Sequence, residues 1–370
     1  MSQTVAAPQA DQAPPPLRPI PVATAFVVAT AAVVVLAAVH LTQGTSGVGA
    51  LDLLELLAGP ADQQVLDILS GSRLPRMLAA LLVGVALGCA GAALQSVARN
   101  ALASPDTLAV NAGAHLAVVL SAALGISLTA GSSLLSGLAA LGSAFVGGLL
   151  AAGLVLLLSS GGTSPTRIIL AGSAITMAVQ SVTYLFLLLY EEETHGLFAW
   201  GMGSLVQADV TPVVQLAPVV LLCVACCMLL GHRLDILALG SDTASVLGVR
   251  VRQTRLITAM LAVLLAAAAV SLAGPIPFIG LVAPAVVRLM GARIPGLMRH
   301  RVLFPLSSLV GVVIVLSSDI AVRAVLGGQA GVDVPAGVVT TILGAGVLIA
   351  LARRYRDAGP TRRPPTPHSA

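Results

Sequence analysis

Long apolar runs without a charged residue constrain this chain more than any other feature of its sequence. Met77–Val97 and Leu134–Leu158 are two of them, and each is longer than the roughly 20 residues that a helix needs to cross the hydrocarbon core of a bilayer. Only 9% of the 370 residues are charged, whereas a soluble domain carries about a quarter, because its surface must face water. The sequence therefore predicts an all-α polytopic membrane protein.

Ten apolar spans follow one another along the chain. We expect them at residues 22–41, 75–98, 107–125, 131–158, 166–190, 211–231, 255–273, 277–292, 302–326 and 335–352. The first span is too long for a signal-peptide core and has no small-residue cleavage site, so we expect it to be retained. The transmembrane domain then covers residues 22–355. It lies between a Pro- and Ala-rich disordered tail at 1–21 and a second tail at 356–370.

The distribution of arginine predicts the orientation of these spans. If both termini are cytoplasmic, only Arg73, Arg76 and Arg323 fall on the outer side among the 19 arginines. Such an excess of positive charge on one side is the usual sign of the cytoplasmic face. The three outer arginines have two possible explanations, which the sequence leaves open. They anchor helix ends at the membrane interface, or they form a docking patch for a partner that carries carboxylates.

Residue types exclude several classes of activity. The chain has no lysine, and a phosphate-binding P-loop needs one, so we do not expect this chain to be a P-loop ATPase itself. The histidines are dispersed, which disfavours an intramembrane enzyme, and no catalytic residue, metal site or cofactor is predicted. We interpret the cysteines, Cys89, Cys223, Cys226 and Cys227, as small apolar helix residues.

One acidic side chain lies well inside a predicted span. Asp319 precedes Arg323 by one helical turn, a spacing that allows the two side chains to pair. A buried carboxylate is costly without a partner, so we favour a structural pair over a proton-relay site.

A long amphipathic loop at residues 233–250 is predicted on the cytoplasmic side. Gly240 and Gly248 divide it into two short helices, and Ser241 or Asp242 is the expected N-cap of the second. Such a loop is typical of a surface that a partner protein binds.

Two further segments are candidates for a pathway or a gate. Gly274–Arg288 contains three prolines that interrupt an apolar helix, and broken helices at membrane depth occur where protein or a water-filled cavity surrounds them. The turn after the second span carries Gln95 and Asn100, and it is either an ordinary cytoplasmic turn or part of the same pathway.

These segments together resemble the FecCD family of ABC importer permeases, which includes permeases for ferric siderophores, haem and cobalamin. The resemblance covers about residues 70–353. The matching segments, in order, are Arg73-Leu-Pro-Arg76 with Gly84, Gly91 and Gln95; Arg99–Ala109; Trp200 with Gly203-Ser204-Leu205; Gly274–Arg288; Asp319–Arg323; and Pro335–Gly337.

The resemblance implies a type II ABC importer permease fold of ten helices and a complete set of partners. These are ATP-binding cassette ATPase subunits, an extracytoplasmic substrate-binding protein and a second permease, identical or paralogous, in the bacterial cytoplasmic (inner) membrane; no nucleic-acid partner is implied. The binding protein would dock on the three outer arginines. The remaining implied site residues are Ser241, Asp242, Ala244, Leu247, Gly248 and Val249 for ATPase coupling, and Gln95, Asn100, Gly274, Pro275, Phe278, Gly280 and Pro284 for the translocation path or gate.

The chain departs from the family pattern at four positions. Ala101 and Gly346 stand where the family has proline, Ala109 where it has glycine, and Ala285 where it has histidine. These positions lie in turns and in the implied gate, so they affect expectations about gating and substrate choice. An ion-coupled secondary transporter is the alternative function, although it would need more intramembrane acids than Asp319 and scattered polar residues such as Gln180.

Overall fold

The computed structural model describes residues 21–43, 66–67, 69–125, 133–159, 165–206, 209–291, 294, 296–326 and 334–357. A π-helical turn at Leu69–Arg73 and a 3-10 turn at Pro105–Leu108 accompany the α-helices. The α-helices are α1 (Val22–Thr42), α2 (Leu74–Ala98), α3 (Val110–Ala123), α4 (Ser133–Ser159), α5 (Pro165–Leu189), α6 (Leu197–Trp200), α7 (Val210–Ala238), α8 (Ser241–Val246), α9 (Val251–Ala273), α10 (Ile279–Gly291), α11 (His300–Leu326) and α12 (Ala336–Asp357).

Ten of these helices account for the ten predicted spans. In the described part of the chain, α1, α2, α4, α5, α7, α9 and α11 contain segments long and apolar enough to cross a membrane. Three shorter apolar helices, α3, α10 and the first part of α12, complete the set. The prediction of an all-α polytopic membrane protein with about ten spans is therefore confirmed.

Contacts at the helix ends define two opposite faces of the bundle. On the face that we call the Arg73 face, Arg73 Nη1 donates to the carbonyl of Leu41 at the end of α1, over 2.6 Å. On the other, the Arg99 face, Arg99 Nη2 donates to the carbonyl of Leu237 at the end of α7, over 2.7 Å. The 25 residues of α2 separate these faces by about 37 Å, at 1.5 Å per residue.

Glycines allow α2 to occupy the centre of the bundle. A Cβ atom at Gly84 would lie 2.4 Å from Val312 Cα in α11, and one at Gly88 would lie 2.2 Å from the Ser307 carbonyl oxygen of the same helix. Close backbone approach of this kind supplies much of the packing between helices in lipid, where hydrophobic association contributes little.

The loop at residues 233–250 differs from its prediction of two short helices. Its first half, from Arg233, is the continuous end of α7, which runs to Ala238, so only the second short helix, α8, exists as a separate element. The N-cap of α8 is Gly240 with φ +132°, not Ser241 or Asp242. The reason is that no residue before Gly240 breaks the helical hydrogen bonding of α7.

Most of the two predicted tails lies outside the described residues. Residues 1–20 and 358–370 lie outside the described residues. Helix α12 continues to Asp357, two residues beyond the boundary expected at 355.

Candidate functional site

A helix break in the middle of the bundle forms one wall of the site. Helix α9 ends at Ala273, and α10 begins only at Ile279, so Gly274–Phe278 joins them without helical structure. Pro275 and Pro277 have no N–H group to continue a helix. Phe278 has φ +67°, and its N–H donates to the carboxylate of Asp106 over 3.4 Å. The carboxylate therefore satisfies a backbone donor at the start of α10.

A cavity of about 720 Å³ lies beside this break. Besides the break itself, six structural elements line it: the turn before α3, α3 itself, α5, the α6 region, α10 and α12. Most of its surface is apolar. Its lining residues include Asp106, Asn111, His115, Thr176, Gln180, Tyr184, Pro275, Phe278, Leu281 and Thr341.

The structure divides the predicted path residues into lining residues and supporting residues. Pro275 and Phe278 line the cavity directly. Gly274 and Gly280 permit close packing behind it, since a Cβ atom would lie 2.1 Å from the Trp200 carbonyl oxygen at the first position and 2.7 Å from Pro105 Cδ at the second.

The other three predicted path residues support the surrounding helices. Gln95 is buried, and its amide nitrogen donates to the Leu281 carbonyl over 3.2 Å, which ties α2 to α10. Asn100 Oδ1 accepts the N–H of Leu102 within its turn. Pro284 is buried inside α10. Their roles in a pathway remain predictions.

The polar wall of the cavity was missed by the sequence predictions. Asn111 and His115 lie one turn apart on α3, and Thr176, Gln180 and Tyr184 follow one another at helical spacing on α5. Polar residues at intervals of four in two apolar spans are the signal that could have identified them.

Asp319 is the centre of an ionic cluster on the Arg73 face. Its side chain is completely buried, and Arg76 binds it in a bidentate manner, with Nη2–Oδ1 2.7 Å and Nε–Oδ2 3.1 Å. Arg323 Nη2 donates to Oδ2 over 2.9 Å, which confirms the predicted pair. His40 Nε2 lies 2.8 Å from Oδ2. We call these four residues the Asp319 cluster.

All three predicted docking arginines have intramolecular contacts. Arg73 is 3% exposed and bonds the end of α1, and the side chains of Arg76 and Arg323 are each 16% exposed beside Asp319. These contacts give the arginines a structural role, and docking stays a prediction. The sequence predictions missed His40 because an isolated histidine near a helix end has no local partner.

The predicted ATPase-coupling residues form a protruding element on the Arg99 face. Within α8, Ala244 is buried, while Val246 is 88% exposed and Leu247, which follows the helix, is 57% exposed. Arg255 Nη2 donates to Ser241 Oγ over 3.0 Å and holds α8 against α9. Gly248 has φ +80°, which ends the element as predicted. Asp242 is exposed and Val249 half-buried.

Two of the four departures from the family pattern have a structural consequence. Ala109 has φ +57°, a left-handed conformation that glycine adopts without strain. Gly346 lies in open space, because none of the described residues comes within 4 Å of the position that a Cβ atom would occupy there. Ala285 is buried in α10, and Ala101 is half-buried in the turn after α2.

Comparison with known proteins identifies the family. The model of the FecCD transport family matches residues 31–354. The Fe(3+) dicitrate transport system permease protein FecC of Escherichia coli is 35% identical over 339 residues, which are 90% of this chain and 96% of that protein. The ferric enterobactin transport system permease protein FepD of the same organism is 39% identical over 87% of this chain and 92% of its own.

A haem permease and a solved structure extend the comparison. The hemin transport system permease protein HmuU of Yersinia pestis is 33% identical over 86% of this chain and 93% of its own. A solved structure described as an inward-facing conformation of a metal-chelate type ABC transporter has a TM-score of 0.73 and 25% identity, covering 90% of this chain and 99% of its own. The fold and the family match agree, and the chain belongs to the FecCD transport family.

Proposed function

We propose that this chain is the membrane-spanning permease subunit of an ATP-binding-cassette importer that moves a ferric siderophore or related metal chelate into the cytoplasm. The observation that carries the proposal is the cavity of about 720 Å³ at the helix break, inside a bundle of the FecCD family. Pockets of about 300–1,000 Å³ suit small organic molecules, and a bare ion needs far less space. The relatives FecC, FepD and HmuU are named for ferric dicitrate, ferric enterobactin and hemin.

ATP hydrolysis belongs to a separate subunit in this proposal. The chain has no lysine with which to build a P-loop. Val246 and Leu247 instead offer an exposed apolar surface to an ATPase, and buried Ala244 anchors it to the bundle. Apolar side chains at the centre of a contact and polar ones around it are the usual composition of a protein interface. Ser241–Val249 is therefore the proposed coupling surface.

Replacing Leu247 with aspartate is expected to abolish coupling. A carboxylate at the centre of an apolar contact must be desolvated without a partner, so the affinity for the ATPase should fall roughly a hundredfold. The measurements are copurification of the ATPase and ATP-driven uptake of radiolabelled ferric chelate in proteoliposomes that contain both permeases and the ATPase. Leu239→Asp is the matched control, because it introduces the same carboxylate at a leucine that is 69% exposed just after α7, on the same face but outside Ser241–Val249. Uptake that persists in vesicles without ATPase would instead favour an ion-coupled transporter.

The Arg73 face is the proposed docking surface for an extracytoplasmic binding protein. Arg76 and Arg323 both retain partial exposure while they bind Asp319. A guanidinium group has five N–H donors, so it can bond a partner's carboxylate without releasing the internal one. Arg76 and Arg323 can then act together in docking, while Arg73, which is 3% exposed, holds the end of α1 beside them.

Arg323→Gln provides a test of docking that leaves Asp319 paired with one arginine. Arg76 remains bidentate on Asp319, so the buried carboxylate stays neutralised. We expect the variant to fold and to bind the loaded binding protein roughly tenfold more weakly. Surface plasmon resonance on protein in nanodiscs measures the change, and Arg301→Gln, an exposed arginine at the start of α11 on the opposite face, is the control. Equal affinity for Arg323→Gln and the unmodified protein would contradict a docking role.

A second permease is proposed to complete the pathway in the bacterial cytoplasmic membrane. Helix α5 lines the cavity, yet Met177 is 70% and Leu188 76% exposed on it. Both the bilayer and a neighbouring subunit can cover such a surface. The position of α5 beside the cavity favours the subunit, identical or paralogous. The arginine distribution supports cytoplasmic positions for both termini and the Arg99 face.

A further inference from the structure

Three buried polar atoms without a hydrogen-bond partner belong to side chains that line the cavity. Ten buried side-chain polar atoms of the described residues have no hydrogen-bond partner, and three of them, Asn111 Oδ1, His115 Nε2 and Thr176 Oγ1, belong to residues that line this cavity. Buried polar atoms are nearly always paired, so an unpaired group requires an explanation. Three of them around a single cavity indicate that a ligand is meant to pair with them.

The local contacts establish which of these atoms accept hydrogen bonds. Asn111 Nδ2 donates to Asp106 Oδ1, so the amide oxygen of Asn111 points away from the carboxylate. The His115 ring bonds the backbone of Leu197, which leaves Nε2 as the acceptor of a neutral imidazole. The ring also packs against Gly201, where a Cβ atom would lie 2.1 Å from Cε1 and 2.4 Å from Nε2. The unpaired atoms, Asn111 Oδ1 and His115 Nε2, are therefore both hydrogen-bond acceptors.

The formal charge of the cavity lining is negative or zero. Asp106 is the only carboxylic acid among the lining residues of the described chain, and no arginine lines the cavity. Gln180 and Tyr184 add neutral polar groups, and Phe278, Leu281 and Pro275 add apolar surface. A polyanion in such a site would face a carboxylate and unpaired acceptors, in surroundings that screen charge poorly.

We propose that this cavity is a holding site selective for uncharged ferric chelates that carry N–H or O–H donors, as the ferric trihydroxamates do. Three hydroxamates lose one proton each, so their ferric complex is neutral. Three catecholates lose two each and leave a trianion, and a ferric dicitrate complex is also anionic. Amide or hydroxyl donors of a hydroxamate chelate pair with Asn111 and His115, while its apolar parts lie against Phe278 and Leu281. The inference rests on the proposed transport of a metal chelate and specifies its chemical class.

Trp200 provides a direct test on the chain alone. It is the only tryptophan of the protein, and its ring lies 5.9 Å from the His115 ring beside the cavity. Ferric chelates absorb in the wavelength range of tryptophan emission, so a bound chelate quenches the emission of Trp200. Purified protein in nanodiscs is titrated with ferrichrome, ferric enterobactin and ferric dicitrate, and free N-acetyltryptophanamide corrects for absorption. We expect saturable quenching by ferrichrome and roughly tenfold or weaker binding of the two anionic chelates.

Two substitutions examine the separate parts of the proposal. Asn111→Leu removes one acceptor, and we expect ferrichrome binding to weaken roughly tenfold. Asp106→Asn removes the charge, and the ratio of the enterobactin and ferrichrome dissociation constants should shrink roughly fivefold. Ser181→Ala is the control on α5, because its hydroxyl bonds the Met177 carbonyl and it does not line the cavity. Circular dichroism and size exclusion verify the fold of each variant.

The outcomes separate this inference from the proposed function. Equal or tighter binding of the trianion overturns the selectivity, and so does an Asp106→Asn variant with an unchanged ratio. An absence of quenching by all three chelates overturns the holding site. In each of these cases, ATP-driven uptake in proteoliposomes would still support the proposed transport function. Uptake without the ATPase would contradict the ATP-driven importer, and it would leave the binding measurements unaffected.

Discussion

Replacing Asp319 with asparagine is expected to destabilise the protein by about 3–5 kcal/mol, the usual consequence of removing one partner from a buried ion pair. The carboxylate has no exposed surface, and Arg76 and Arg323 both direct guanidinium groups at it. Asparagine has a similar shape, but it leaves two cations side by side without a countercharge. In the apolar surroundings of the bundle this repulsion is only weakly screened. The thermal melting temperature should fall by on the order of 10 °C.

A second variant separates charge from packing. Asp319→Asn combined with Arg323→Gln removes one of the two unpaired cations, so the double variant should be more stable than Asp319→Asn alone. Asp235→Asn is a milder control, since Asp235 is 33% exposed in its pair with His300. We expect it to lose about 1 kcal/mol or less, as partly exposed pairs do. Fluorescence-detected thermal melting in detergent measures all three. An Asp319→Asn variant that melts with the unmodified protein would show that the cluster is not electrostatically coupled.

Part of the Asp319 cluster could be predicted from the sequence and part could not. The Arg323 pair is local, four residues along one helix, and the helical repeat makes it predictable. Arg76 and His40 reach Asp319 across 243 and 279 residues of sequence. Their contact depends on which helices are neighbours and on how each is rotated. Hydropathy contains neither kind of information, so Arg76 was predicted only as an anchoring or docking residue of the outer side, and His40 was missed.

The cavity, like the Asp319 cluster, could be predicted from the sequence only in part. The prolines of Gly274–Arg288 predicted the helix break correctly, because a residue without an N–H group interrupts a helix wherever it lies. The polar wall consists of side chains from α3 and α5, and each helix alone is an apolar span with a few polar residues. Only their packing together places Asn111, His115 and Thr176 around one space. The sequence predicted a pathway near the break, and the structure supplied the residues opposite it.

Replacing Gly91 with valine is expected to stop transport and to destabilise the bundle. A Cβ atom at Gly91 would lie 1.7 Å from the carbonyl oxygen of Gly280, the closest such approach among the described glycines. The atom in the way belongs to the backbone, so no side-chain rotation relieves the overlap. Helix α2 and the first turn of α10 must separate. We expect a loss of about 3 kcal/mol in stability, at the upper end of overpacking effects, and a roughly tenfold or greater loss of ATP-driven uptake.

Gly153→Val is the matched control, because it places the same side chain on α4 where nothing lies within 4 Å of the Cβ position. Both substitutions make the same small gain in helix propensity, because valine is a better helix former than glycine by roughly 0.3 kcal/mol, so the difference between them measures the contact of α2 with α10. Gly91→Ala adds a single methyl group and should give an intermediate result. Gly280 packs against Pro105 as well as Gly91, so a displaced α10 also disturbs the turn that holds Asp106. If Gly91→Val transports and melts as Gly153→Val does, the close contact between α2 and α10 does not position the helix break. The break must then be held by the Asp106 carboxylate and by the hydrogen bond from Gln95 to Leu281 alone.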